Sequence, residues 1–553
     1  MSALRAALRM APSTTSLLGL ILLASLLAAC GGGGPSTPAS PQPTLPPSPV
    51  VRDTPAPPSG TPATEQIIDL ASEAPASVIW GADTGDFLND LPALASGDIN
   101  GDGLDDVLIG ARFGDGPENA REDSGEAYVV FGSRELPDSV DLAGGEQGLT
   151  VYGGAANDQL GFAGVIADVN GDRLEDVLLG APLAQRPDDR ADAGAVYVLF
   201  GGPDLSGAID LAETPADLTL LGADGSDFFG DSLASTDVNG DEVADIIVGA
   251  TFARRPLDSE QGGMQAGAAY AIFGSSDLAG VRDMVQGQYD VAIYGAEQFD
   301  EVGDNVAAGD VNADGVGDMI ITAEAADGPD NARSVAAEVY VVYGSPDLGG
   351  VLDIDQNDQD VTVFGAEDND TIGFNIASGD VSGDGVDDIL MTARLADGPG
   401  DSIGEAGEVH IVLGGDALPQ TIDLAADESD AYIFGPDRAD MLGASLGVAD
   451  LNGDGRDELL TGTGFAGGPN NSRSDGGEAY VLDASGLQGA VSIFATPLKL
   501  VIYGAQPGDR LGAAMTAGDL DGDGAPELIL LAMEGDGPEG GRPDAGQIYV
   551  LKP

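Results

Sequence analysis

The sequence predicts an all-β fold, a seven-bladed β-propeller of four-stranded antiparallel blades, and three observations lead to it. An acidic segment of fifteen residues recurs seven times, and its leading aspartates, Asp98, Asp168, Asp237, Asp310, Asp380, Asp450 and Asp519, stand 70, 69, 73, 70, 70 and 69 residues apart. Each unit holds four short apolar segments bounded by Gly, Pro, Asp and Asn, which is strand chemistry without helical periodicity. A spare outer-type strand, Ser77 to Gly81, precedes the first unit, while the last unit stops at Lys552-Pro553 after its third strand. A ring in which the early strand completes the seventh blade accounts for both, whereas a solenoid would need distinct polar caps.

In chain order, Arg5 and Arg9 precede an apolar run from Leu17 to Ala29, too short to span a bilayer and right for the core of a signal peptide. It ends in Leu27-Ala28-Ala29-Cys30, which resembles the bacterial lipoprotein lipobox. The resemblance implies that residues 1–29 are removed and that Cys30 carries the lipid, the alternative being an ordinary secretory signal with an incidental cysteine. Gly31 points to the outer membrane if the cell has one. The expected location is therefore the cell envelope, surface-exposed, with the membrane touched only through lipid. Residues 30–66, rich in Pro, Gly, Ser and Thr, read as a disordered tether reaching up to roughly 100 Å at about 3.1 Å per residue.

The propeller is assigned to residues 67–553. In its second unit the expected strands are inner, Phe162 to Asp168; second, Asp176 to Ala181; third, Ala195 to Gly201; and outer, Leu218 to Gly222. Second strands such as DVLLGA and DIIVGA are continuous apolar runs, as blades packed on both faces require. The third-strand motif reads GEAYVVFG, GAVYVLFG, GAAYAIFG, AEVYVVYG, GEVHIVLG, GEAYVLDA and GQIYVLKP. The single histidine, His410, fills the slot of Tyr128, Tyr197, Tyr270, Tyr340, Tyr480 and Tyr549, so it reads as a packing residue rather than a base.

These motifs resemble the FG-GAP repeat of the integrin alpha-subunit N-terminal propeller. Phe229-Gly230 leads into DSLASTDVNGDEVADIIVGA, and Gly180-Ala181-Pro182 supplies the second half of the name. The likeness covers residues 77–553, although the Phe-Gly pair is mostly Leu-Gly, Val-Gly or Ile-Gly here. There is no Arg-Gly-Asp and no room for an inserted ligand-binding domain, so integrin ligand chemistry does not carry over.

Each recurring segment reads Asp-x-Asn/Asp/Ser-x-Asp-x-x-x-Asp/Glu, with oxygen ligands at positions one, three, five and nine. That set suits Ca²⁺, which takes six to eight oxygens at about 2.3 to 2.6 Å. It is not an EF-hand, since Ile109 stands where a bidentate Glu would be and the flanks are strands. The expected ligands are Asp98, Asn100, Asp102, Asp106; Asp168, Asn170, Asp172, Asp176; Asp237, Asn239, Asp241, Asp245; and Asp310, Asn312, Asp314, Asp318. The last three loops supply Asp380, Ser382, Asp384, Asp388; Asp450, Asn452, Asp454, Glu458; and Asp519, Asp521, Asp523, Glu527. Up to seven Ca²⁺ ions are expected, held most weakly at 168–176 and 237–245, where Arg173 and Glu242 replace Gly in a left-handed turn. Plain Asn-Gly and Asp-Gly hairpin turns are the alternative.

Loops between second and third strands lie on the other face and gather arginines. Arg121, Arg190, Arg255, Arg333, Arg394, Arg473 and Arg542 are candidates for gripping carboxylate or sulfate on a partner, unless each pairs with an Asp of its own loop. Charge sets further bounds. With 94 acidic against 21 basic residues and a net charge of -73, nucleic acid is excluded as a partner. One His and one Cys remove multi-His zinc sites and intramolecular disulfides. The expectation is a monomeric, non-enzymatic, calcium-stabilised adhesion or binding module for extracellular protein or glycan. The alternative is a carboxylate-dependent glycan hydrolase or lyase, which an asymmetric acidic cluster on the loop-rich face would favour. A third reading is that the acidity serves solubility in high salt, since Lys499 and Lys552 are the only lysines.

Overall fold

A computed structural model describes residues 66–86, 93–186, 190–256, 262–426 and 428–552. The expected signal, Cys30 and nearly all of the tether lie outside these residues. Regular structure consists of strands and short 3-10 turns, in seven sheets. The expected all-β propeller architecture is found, with one addition. Every blade has five strands, not four.

The second blade shows the pattern. Its inner strand is Gly164–Ala167, its second Asp176–Ala181, its third Ala195–Leu199 and its outer strand Leu218–Leu221, all antiparallel to their neighbours. A fifth strand, Gly280–Asp283, then lies parallel to the outer one, with Leu220 opposite Arg282. It belongs to the next repeat, whose chain leaves its own third strand, runs along the preceding blade's rim, and only then returns to form its own outer strand. We call it the latch strand. The others are Gln66–Asp69, Ser139–Asp141, Gly207–Asp210, Gly350–Asp353, Thr421–Asp423 and Gly489–Ser492.

Apolar side chains do the packing between blades. The second strand is buried at all six positions in every blade. Between the second and third blades, Leu178, Val196, Val198, Leu218 and Leu220 interleave with Ile246, Val248, Tyr270 and Ile272. Each such side chain withdrawn from water contributes about 1.5 to 3 kcal/mol. The blades also approach backbone to backbone. Gly230 sits at φ 91 and its carbonyl oxygen would lie 2.1 Å from a Cβ placed on Gly180, so both positions require glycine.

The ring closes as the spare strand requires. Ser77–Trp80 is the outer strand of the seventh blade, pairing with the third strand Gln547–Leu551 so that Ile79 faces Ile548. Gln66–Asp69 latches the sixth blade by running parallel to Leu498–Tyr503. Ile529, Leu531, Ile548 and Val550 of the last blade pack on Val107, Ile109 and Tyr128 of the first. No helix among the described residues is long and apolar enough to cross a membrane.

Candidate functional site

The acidic segments are the hairpins between inner and second strands, on one face of the ring. In the first, the Asp98 carboxylate accepts from the backbone N–H of Gly101, Asp102 and Gly103 at 2.8, 3.0 and 2.9 Å, folding the turn around position one. Asp168 does the same with Gly171, Asp172 and Arg173 at 2.7, 3.1 and 2.7 Å. Position six is left-handed throughout, including Arg173 at φ 73 and Glu242 at φ 67. Position nine, where the second strand begins, is buried. Asp106 accepts from Ile99 N–H at 3.2 Å and Gly132 N–H at 2.9 Å, and Asn100 donates to it at 3.3 Å. Burial pushes Asp106, Asp176, Asp245 and Asp318 up to about 7 and Asp388 up to about 6, and carboxylates earlier in the same loop push the same way.

These are hard oxygen donors crowded around a carboxylate that is buried and disfavoured as an anion, which suits a hard divalent cation. Among the described residues, ion pairs place no lysine or arginine on the ligand positions of the first five loops. Of the described residues, Asp519, Asp521 and Glu527 of the seventh loop bring three carboxylates within 4.8 Å of one another. In the first four, position three is an asparagine turned by its N–H toward position nine, as Asn170 is toward Asp176 at 3.1 Å. A link missed from sequence joins neighbouring loops. Asp105, Glu175, Asp387 and Asp457, at position eight, accept from the position-one N–H of the preceding loop at 2.8, 2.7, 3.0 and 3.0 Å.

On the opposite face, arginines singled out from the sequence meet aspartates of other segments. Arg255 donates to both Asp353 oxygens at 2.5 and 2.7 Å and to the Gly295 carbonyl, and Arg186 spans Asp283 at 2.9 Å while reaching the Gly222 carbonyl. Arg333 pairs with Asp423 at 2.6 Å, Arg473 with Asp69 at 2.7 Å, Arg542 with Asp141 at 2.7 Å, and Arg121 with Asp210. Each of these aspartates ends a latch strand, so the arginine of one blade clamps the strand donated by the next repeat. Neither half of the clamp is present in the fifth blade, where Ile403 stands in the arginine slot and Ser492 in the aspartate slot. Arg190 pairs with Asp224 at 3.0 Å, and Arg394 lies 3.5 Å from the centroid of the Phe374 ring. Arg121, Arg255, Arg333, Arg473 and Arg542 thus pair with aspartates outside their own loops.

The Gly180 and Gly230 contact gives the two repeat motifs one physical meaning: Gly110 with Gly161, Gly249 with Gly303 and Gly462 with Gly512 repeat it, while Thr322 and Thr392 face Gly373 and Gly443 in the fourth and fifth blades. The FG-GAP repeat family matches at residues 92–130, 160–199, 229–272, 442–482 and 511–551. The chain is an integrin alpha-like FG-GAP propeller. Human phosphatidylinositol-glycan-specific phospholipase D is 28% identical over 397 residues, covering 68% of this chain and 43% of the relative. Integrin alpha-PS2 of Drosophila melanogaster is 29% identical over 283 residues, 49% of this chain and 18% of the relative. Integrin alpha-E of Mus musculus is 32% identical over 176 residues, 31% of this chain and 14% of the relative. The chain thus spans less than half the length of these curated relatives.

The FG-GAP propeller also departs from its repeat on the loop-rich face where the third blade meets the fourth. Asp231 and Asp304 follow the repeat glycines Gly230 and Gly303, in a slot held by Phe162, Phe374, Ala444 and Ala513 in other blades. Asp304 hydrogen-bonds to Glu324 and lies near Glu301 and Asp231. Burial first, then the neighbouring carboxylates, push Asp304 well above the usual range and Glu301 up to about 7. Burial raises Asp231 to about 8, against the pull of its bond to Thr251. Phe299, in the same turn and left-handed at φ 74, is 54% exposed.

Proposed function

We propose that this FG-GAP propeller is a calcium-stabilised binding module for protein or glycan, held at the cell surface by lipid on Cys30, with its ligand meeting the patch of Phe299, Glu301, Asp304 and Glu324. That junction carries this reading, since it adds to the repeated structural theme an exposed aromatic beside carboxylates. An aromatic face with acceptor oxygens beside it suits a sugar ring and its hydroxyls. The acidic loops of the other face support calcium as a structural staple. Chelation is expected to lower the melting temperature and added calcium to restore it, each site contributing about 2.7 kcal/mol at a hundredfold excess over its Kd. An identical melting curve in excess chelator sinks the calcium reading. For the ligand, an array of envelope glycans and matrix proteins is the test, with Phe299→Ala expected to weaken the bound partner about tenfold.

The shared hydrogen bond of Asp304 and Glu324 supports a second reading, a carboxylate-dependent hydrolase or lyase of glycans. The human phospholipase D relative, which covers 68% of this chain, bears an enzyme's name, and its activity enters here only as a reason to assay. Release of reducing sugar that disappears in Asp304→Asn would establish that reading over simple binding.

A further inference from the structure

The seventh hairpin differs from the first five in ways that fit together. Its ligand positions, Asp519, Asp521, Asp523 and Glu527, are all carboxylates, whereas the first four loops have asparagine at position three and the fifth has Ser382. Position nine is Glu in place of Asp. The residue two past the third strand is also changed. In five blades it is a glycine, Gly132, Gly201, Gly274, Gly344 or Gly414, whose N–H reaches the position-nine carboxylate at 2.9, 2.9, 2.8, 2.9 and 3.0 Å. In the seventh it is Pro553, which has no N–H to give. Just before it stands Lys552, in the slot of Phe131, Phe200 and Phe273. Its ammonium pairs with Asp521, lies 3.3 Å from Asp523 and 3.5 Å from Glu527, and so rests among positions three, five and nine.

We infer that the Lys552 ammonium is the resident cation of the seventh loop, in the place where the other loops take Ca²⁺. This rests on the calcium reading of those loops. The carboxylate at Asp521 and the longer arm of Glu527 bring, with Asp523, three acceptors to an ammonium that has three hydrogens to donate. The sixth loop stops halfway. Lys499 reaches Glu458 there and Arg456 lies 3.3 Å from Asp454, while no ion pair among the described residues involves Asp450, so two cations divide the site and neither rests among positions three, five and nine. Replacing Lys552 by an uncharged side chain leaves Asp519, Asp521 and Glu527 within 4.8 Å of one another with no cation among them and turns the seventh loop into a calcium site.

The test counts calcium bound to the full chain, stripped with chelator and dialysed against calcium alone, by atomic emission. Lys552→Met and Lys552→Gln are each expected to hold one more Ca²⁺ per chain than the unaltered protein, and Lys552→Met with Asp521→Ala to lose that extra ion. Lys499→Met is expected to add none. Equal, non-zero counts in the unaltered protein and both Lys552 variants overturn the inference. No calcium on any of them overturns the calcium reading itself, and the inference with it, so the two failures are told apart.

Discussion

At the scale of single residues, a repeat makes every departure from it informative. His410 keeps the tyrosine slot and its partner as well, with Nε2 lying 3.0 Å from Glu408, where Tyr340 donates to Glu338 at 2.6 Å, and its ring stacks on Tyr432 at 5.1 Å. The slot was legible because six tyrosines define it; the glutamate partner was not, because a charge two residues away along a strand looks like surface. Arg173 and Glu242 show the same logic in the backbone. Their left-handed conformation costs a side-chain-bearing residue roughly 1 to 2 kcal/mol, partly offset by the freedom glycine has when unfolded. Arg173→Gly and Glu242→Gly are each expected to stabilise the propeller by about 0.5 to 1 kcal/mol, read from denaturant midpoints with and without calcium.

At the scale of the element, the latch strand is what sequence reasoning missed. GAID, GVRD and GVLD are four residues long and exposed over their first half, and a four-strand reading of the repeat gives them no place in a sheet. Nothing in their local pattern says that they pair, because their partner belongs to the preceding repeat. The four main strands were legible because apolar runs between turn residues report burial directly. The clamp explains the arginines for the same non-local reason. Arg473, Arg121 and Arg186 hold the carboxyls of Asp69, Asp210 and Asp283 below the usual carboxylate range through their hydrogen bonds. Arg255→Ala leaves Asp353 and the Gly295 carbonyl without their donor and is expected to cost about 2 to 3 kcal/mol. Conversely, Ile403→Arg together with Ser492→Asp installs the missing clamp, and a double-mutant cycle on thermal unfolding is expected to show a favourable coupling of about 1 kcal/mol.

At the scale of the whole molecule, acidity is arranged in rings. Besides the hairpin loops, the turn after each outer strand buries one aspartate. Burial raises Asp86 to about 8, Asp227, Asp370 and Asp440 to about 7, and Asp158, Asp300 and Asp509 to about 6. Their folded values stand above the unfolded carboxyl value near 3.8. The folded state therefore binds more protons, so stability is fullest at acid pH and falls as pH rises from about 4 through about 8. Chelator-treated protein is expected to melt higher at pH 5.5 than at pH 8.5. Calcium opposes this trend, because its ligands bind it deprotonated.

The latch strands also decide how such a protein can change over generations. An open stack of repeats tolerates a duplicated or deleted unit, since only its neighbours notice. Here each repeat's strands are divided between two sheets, and the first two strands of the described chain complete blades six and seven. Removing a unit by unequal recombination strips a rim strand from one blade and forces the remainder to close at a different curvature, so the count of seven is inherited as a whole.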